Sequence, residues 1–207
     1  RKAVVDIEDA RFYQHGALDV KGTIRAFLNN QANAGSTQGG SSITQQLAKM
    51  TQLNQAKNKK EQEAATADTY KRKLQELRLA VAFEKNYSKD WILERYLNIA
   101  YFGDGTYGIQ SASRHYFSKD ASELTTAEAA LLGGLVKNPV GYDPTTFPDR
   151  ALSRRNTVLN RMAAAGDISQ AEADQLAATD LGLKVSPSRN GCLGSKAAFF
   201  CDYVRRY

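Results

Sequence analysis

The chain has 207 residues, 42% of them hydrophobic, and its 28 Lys plus Arg against 22 Asp plus Glu give a formal net charge of +6. A chain of this size and composition needs no metal or disulfide staple to fold, and it is neither collagen-like, proline-rich nor wholly disordered. Its longest uncharged apolar run, Ala129–Val136, is far shorter than the about 20 residues of a membrane span, and the positive excess suits anionic partners without choosing among them.

Periodicity predicts a mostly helical chain. Residues 3–14 mix apolar and charged side chains at helical spacing, and residues 19–31 put Val20, Ile24, Phe27 and Leu28 on one stripe. Residues 30–40, NQANAGSTQGG, read as a flexible loop, and Ser42 opens a helix to about Leu53. Residues 54–69 carry Lys57, Lys59, Lys60, Glu61 and Glu63 with little apolar content, which predicts an exposed or mobile segment. From Tyr70 onward Leu74, Leu77 and Val81 restore helical spacing, and Ser88 stands where it would cap a helix carrying Ile92, Leu93, Tyr96 and Leu97. The glycines from Gly103 to Gly105 break that pattern and it resumes over 108–117.

Thr125 with Glu128, and Ser169 with Glu172, have the spacing of capping boxes. Pro148 and Gly166 bracket a helix over 149–165. There is no internal repeat and little β-like alternation. Residues 1–180 read as one domain, with 181–207 a C-terminal extension or the start of a linker. The chain starts at Arg1 and stops at Tyr207 within a continuing pattern, which reads as a piece of something longer. Cys192 and Cys201 cannot form a zinc site alone, and free thiols and a short-range disulfide both remain open for them.

Five segments could carry chemistry. In EDARFYQHG, Glu8 and Asp9 precede Phe12 and His15. A carboxylate beside aromatic surface loses hydration and becomes fit for proton transfer, although a solvated acidic face explains the same spacing. GGSSITQQLAK, Gly39 to Lys49, turns into a helix that opens with hydroxyl residues, suited to a phosphate at a helix N-terminus or simply to a capped turn. It lacks the GK[ST] ending of a nucleotide loop.

RKLQE places Arg72 and Lys73 four and three residues before Glu76. A surface ion pair explains this spacing, but the order is the weaker one for helix support, so the basic pair is also a candidate for holding an anionic leaving group. KDWILERYLN sets Glu94 and Asn98 opposite an apolar stripe, as a core helix would. RRNTVL, from Arg154 to Leu159, reads as a solvated basic turn or a second anion contact. His115 in RHYF reads as a packed or surface residue. No GxSxG nucleophile elbow, no metal cluster with recognisable spacing and no interleaved basic and aromatic groove for nucleic acid is present.

Together and in this order, the five motifs resemble those of the peptidoglycan glycosyltransferase domain of bifunctional, class A penicillin-binding proteins. EDARFYQHG matches ED-x-x-F-x-x-H-G, GGSSITQQLAK is similar to the usual GGSTITQQ with Ser42 in place of Thr, and RKLQE, ILERYLN and RRNTVL match the remaining three over residues 3–165. The resemblance implies a mainly α, lysozyme-like fold with a larger head lobe and a smaller membrane-facing jaw. It implies polymerisation of lipid II into glycan strands at the extracytoplasmic face of the cell membrane, with inversion at the anomeric carbon and polyprenyl pyrophosphate leaving.

Under that resemblance Glu8 is the general base, Asp9 supports it, and Phe12 and His15 shape its pocket. Lys49, Arg72 and Lys73 supply charge to the pyrophosphate, and Ser42, Gln45 and Gln46 supply hydrogen bonds. Glu76 is the second carboxylate, orienting the donor, steadying its basic neighbours or holding a divalent cation such as Mg2+ or Mn2+; no organic cofactor is implied. The partners implied are lipid II, the growing lipid-linked glycan, the membrane surface and other cell-wall synthesis proteins, with no nucleic acid. Residues 54–69 become a candidate flap. Full-length relatives add a membrane anchor and a transpeptidase. Two rivals stay open: a lysozyme-like peptidoglycan hydrolase, and a non-catalytic wall-binding module.

Overall fold

The computed structural model describes residues 1–20, 40–67 and 69–186. Among these the chain is mainly helical. The elements are α1 (Lys2–Glu8), a 3-10 turn (Phe12–Gln14), α2 (Ile43–Gln55), α3 (Lys59–Thr66), α4 (Tyr70–Asn86), α5 (Lys89–Ile99), α6 (Ile109–Phe117), a second 3-10 turn (Ala121–Glu123), α7 (Thr126–Leu135), α8 (Pro148–Ala165) and α9 (Gln170–Ala177). No strand occurs among the described residues, only an isolated antiparallel bridge between Tyr101 and Tyr107. No helix there is long and apolar enough to cross a membrane.

Local chemistry explains most helix starts. The side chains of Ser42, Asn58, Thr69, Ser88, Thr125 and Ser169 each accept a backbone N–H from the first turn of the helix that follows. Such a cap satisfies one of the donors a helix start leaves unpaired. Thr125 and Glu128 close a reciprocal box, and so do Asp120 and Glu123, which the sequence reading did not single out. Helix α8 starts with Pro148 and stops at Gly166, whose φ of 83° is the left-handed cap that Gly adopts without steric cost.

One expectation changes and another gains detail. The helix expected over 3–14 ends at Glu8, where Asp9 takes φ −158° and the chain re-enters as the 3-10 turn. The exposed segment expected at 54–69 contains a capped helix, α3, exposed except for Ala65. The loop expected at 30–40, most of the helix expected at 19–31 and both cysteines lie outside the described residues.

Helix α1 is the wedge between two cores. Val4 and Val5 pack with Phe12, Ile43, Leu47, Ile92, Leu93 and Tyr96, whereas Ala3 packs with Ala130, Val158, Leu159 and Met162. A third cluster joins Phe102, Tyr116, Phe117, Leu131 and Leu135. Close approach of α1 to α7 depends on Gly133, where a Cβ would stand 3.3 Å from the Ala3 backbone. The extension expected from residue 181 starts with a stretch tied to α6: the Lys184 and Ser186 N–H groups donate to the Tyr116 and His115 carbonyls at 2.8 and 2.7 Å.

Candidate active site

Glu8 is the last residue of α1 and its side chain is 12% exposed. The Gln46 amide donates to Glu8 Oε2 at 3.0 Å, and Arg154 Nη2 lies 3.8 Å from Glu8 Oε1. Tyr96 donates from its hydroxyl to Gln46 Oε1 at 3.0 Å. Burial, and then the Glu8 charge, push the Tyr96 phenol well above its ordinary range. Burial pulls the Arg154 guanidinium down and Glu8 opposes that, but an arginine keeps its charge in proteins.

Arg154 reaches Glu8 across α7. Its Nε donates to the Gly134 carbonyl at 3.2 Å, and a Cβ on Gly134 would stand 2.9 Å from Arg154 Cγ. The missing side chain is what gives the arginine stem its path. Beside Arg154 a cleft of about 330 Å³ is lined by Tyr142, Asp149, Arg150, Ser153, Arg154 and Thr157. RRNTVL is therefore the middle of a helix and not a solvated turn. Its second arginine, Arg155, is buried and donates to the carbonyls of Ala177, Thr179 and Asp180, closing the end of α9.

Asp9 is buried and turns to neighbours other than Glu8. Its Oδ1 lies 2.6 Å from His15 Nε2, and its Oδ2 accepts the Ile43 N–H at 3.0 Å. His15 Nδ1 lies 2.6 Å from the Gly16 carbonyl oxygen. The first N–H of α2, offered by the sequence to a phosphate, thus meets a carboxylate of the chain itself, an anion well placed at the positive end of a helix. Ser42 caps α2 and donates to the Ala17 carbonyl at 2.9 Å. Gln45 is buried, and Lys49 is exposed one turn beyond. Phe12 is fully buried with the Lys89 ammonium 4.4 Å from its ring centre.

Lys89 also donates to Glu84, which accepts a bond from the Thr44 hydroxyl, so one polar knot joins α2, α4 and α5 beneath the site. Glu94 and Asn98 are exposed on α5, and buried His115 contacts the Asp104 carboxylate at 2.8 Å.

Glu76, on α4, has a 1% exposed side chain and both oxygens engaged: Arg72 binds one and Lys73 Nζ the other at 3.0 Å. Lys73 also donates to the Ser41 hydroxyl at 2.7 Å, which ties this cluster to the entrance of α2. Two cations on the two oxygens leave Glu76 poorly suited to a divalent ion. Elsewhere, Asp9, His15 and Asp19 offer ligand atoms within 4.8 Å of one another, but Arg11 already pairs with Asp19.

The structure thus brings Glu8, Gln46 and Arg154 together, joins Arg72, Lys73 and Glu76, and gives Asp9, His15 and Ser42 to the frame that holds them. The hydrogen-bonding roles of Tyr96 and Ser41, and the Glu84 and Lys89 partners of Thr44, escaped the sequence reading. Only Tyr96 left a signal, a phenol within an apolar stripe, since buried tyrosine hydroxyls seek partners.

A family model described as transglycosylase matches residues 1–163. Penicillin-binding protein 1F of Bacillus subtilis (strain 168) is 42% identical over 204 residues, covering 99% of this chain and 26% of that protein. Penicillin-binding protein 1A of Neisseria cinerea is 43% identical over 175 residues, covering 84% of this chain and 21% of that protein. A crystal structure of penicillin-binding protein 1A from Haemophilus influenzae aligns with a TM-score of 0.42 and 25% identity, over 78% of this chain and 19% of that one. The chain spans about a quarter of the length of the curated relatives it matches. With the motif residues gathered around α2 and the match running through α8, the chain belongs to the transglycosylase family, the peptidoglycan glycosyltransferases of class A penicillin-binding proteins.

Proposed function

We propose that this domain polymerises lipid II, with the growing lipid-linked glycan as donor, at the extracytoplasmic face of the cell membrane. The 4-hydroxyl oxygen of the acceptor sugar attacks the donor anomeric carbon and forms the new glycosidic bond. The bond from that carbon to the phosphate oxygen breaks, and the polyprenyl pyrophosphate leaves with the electron pair. Glu8 takes the hydroxyl proton. Attack opposite the leaving group converts α to β without a covalent intermediate, as in inverting glycosidases.

The observation that carries this reading is the pairing of a lightly held carboxylate, Glu8 on Gln46 and Arg154, with a cation cluster at the entrance of the same helix. Arg72 and Lys73 stabilise the charge that develops on the pyrophosphate, with Lys49 as a third cation. Glu76 holds the first two in place. The cleft beside Arg154 is where we seat the sugar next to the base, its arginines and hydroxyls offering the few directed polar groups such sites use. A smaller jaw lobe facing the membrane, a flap role for residues 54–69 and docking of other cell-wall synthesis proteins belong to the same proposal.

The test is incubation with labelled lipid II in detergent, wild type against Glu8→Gln. Polymer from wild type alone supports the reading. Shortening of preformed glycan strands with lipid II ignored would overturn it in favour of a hydrolase.

A further inference from the structure

Tyr96 has no exposed surface and sits among Val4, Val5, Ile43 and Leu47, yet it carries a hydroxyl. A phenol has one proton to give, and in an amide only the oxygen can accept it. With Gln46 Oε1 held on the phenol at 3.0 Å, Nε2 is the half of the amide left to face Glu8, and it does so at 3.0 Å. We propose that Tyr96 is a positioning residue: its buried hydroxyl helps to fix which way the Gln46 amide is turned, and thereby the orientation of Glu8 and the hydrogen bond that its carboxylate accepts. The proposal rests on the reading of Glu8 as the base.

Burial and the nearby carboxylate both keep the phenol protonated, so it remains a donor across neutral pH. Without the hydroxyl the amide can rotate. Glu8 alone then holds Nε2, and the amide loses the second anchor that keeps this hydrogen bond aimed at the carboxylate. Phenylalanine differs from tyrosine by the hydroxyl alone, so the apolar packing is kept. Among the described residues, Arg154 on α8 is the charged side chain that pairs with Glu8, and it is untouched by the change.

The experiment measures initial rates of lipid II polymerisation by the full chain against pH, for wild type, Tyr96→Phe, Gln46→Leu, the double variant and Glu8→Gln. Tyr96→Phe is expected to lower kcat about 10-fold at neutral pH with KM unchanged, because the loss falls on proton transfer. The acidic limb of its profile moves to higher pH, since the hydrogen bond that is weakened is one that favours the charged carboxylate.

Gln46→Leu shows the same displaced limb, and adding Tyr96→Phe to it costs nothing more, since both act through one bond. An unchanged profile in Tyr96→Phe, or a loss that adds fully in the double variant, overturns the proposal. Where Tyr96→Phe does not fold, an undisplaced limb in Gln46→Leu does the same. If Glu8→Gln still polymerises, the reading of Glu8 as base falls instead. If Glu8→Gln is inactive and Tyr96→Phe is normal, only the role of Tyr96 falls.

Discussion

Two glutamates lie near the start of α2 in opposite surroundings. Glu8 accepts one hydrogen bond from a neutral amide, and its other oxygen has a guanidinium at 3.8 Å. Glu76 is almost without exposure and gives both oxygens to cations. Identical side chains thus take different work from their neighbours, the principle by which paired carboxylates divide roles in glycosyl chemistry. Glu8 is left with free accepting capacity, whereas Glu76 is committed to holding Arg72 and Lys73.

The sharpest way to break this contrast is Glu8→Gln. It keeps shape and removes the proposed base, so turnover is expected to fall by about 10²–10⁴-fold, while the melting temperature stays near wild type. Loss of fold in place of loss of rate would erase the distinction between the two glutamates. Glu76→Gln gives the opposite pattern. It strips two cations of their counter-charge beside a buried site, and stability drops by about 3 kcal/mol, read from denaturant unfolding, with pyrophosphate-dependent binding weakened as well.

A third carboxylate extends the comparison. Asp6 shares α1 with Glu8 but meets another acid: burial, then the charge of Asp167, raises its pKa from 3.8 to about 7, with Lys2 opposing. A raised folded-state pKa means the folded form holds the proton more tightly. The contribution is full below pH 3.8 and is lost as pH rises through about 7. Asp6→Asn removes that titration and raises the melting temperature at pH 8 by roughly 3 °C, with little change at pH 4. An equal gain at both pH values would dissociate the effect from Asp6 ionisation.

The smallest expected effect concerns the path of Arg154. Gly134→Ala places a methyl against the arginine stem, offset in stability by about 0.5–1 kcal/mol of improved helix propensity. The melting temperature holds while activity falls, which thermal unfolding and rate measurement on the same sample separate.

Much of this was legible in the residues. Ser42, Ser88, Thr125, Pro148 and Gly166 mark helix ends because capping is a contact within one turn of chain, so neighbours in sequence settle it. The five motifs located Glu8, Arg72, Lys73, Glu76 and Arg154. What stayed hidden were contacts between residues far apart in the chain. Asp9 ends α1 early as it reaches Ile43, and this withdraws from ligands a helix start that looked free. Arg154 and Arg155 are adjacent in sequence, yet one faces Glu8 and the other closes α9, because successive positions on a helix point about 100° apart and meet different neighbours.

By itself the sequence determined that the chain is helical, where most helices begin and which family chemistry it carries, since these follow from local spacing and motif order. The tertiary structure alone decided that Glu8 is left lightly bonded, whereas the cations that saturate Glu76 lie one turn away on its own helix. A side chain's chemistry is set by the groups within hydrogen-bond reach, and here those come from helices α1, α2, α5 and α8, brought together only by burial of the cores that flank α1.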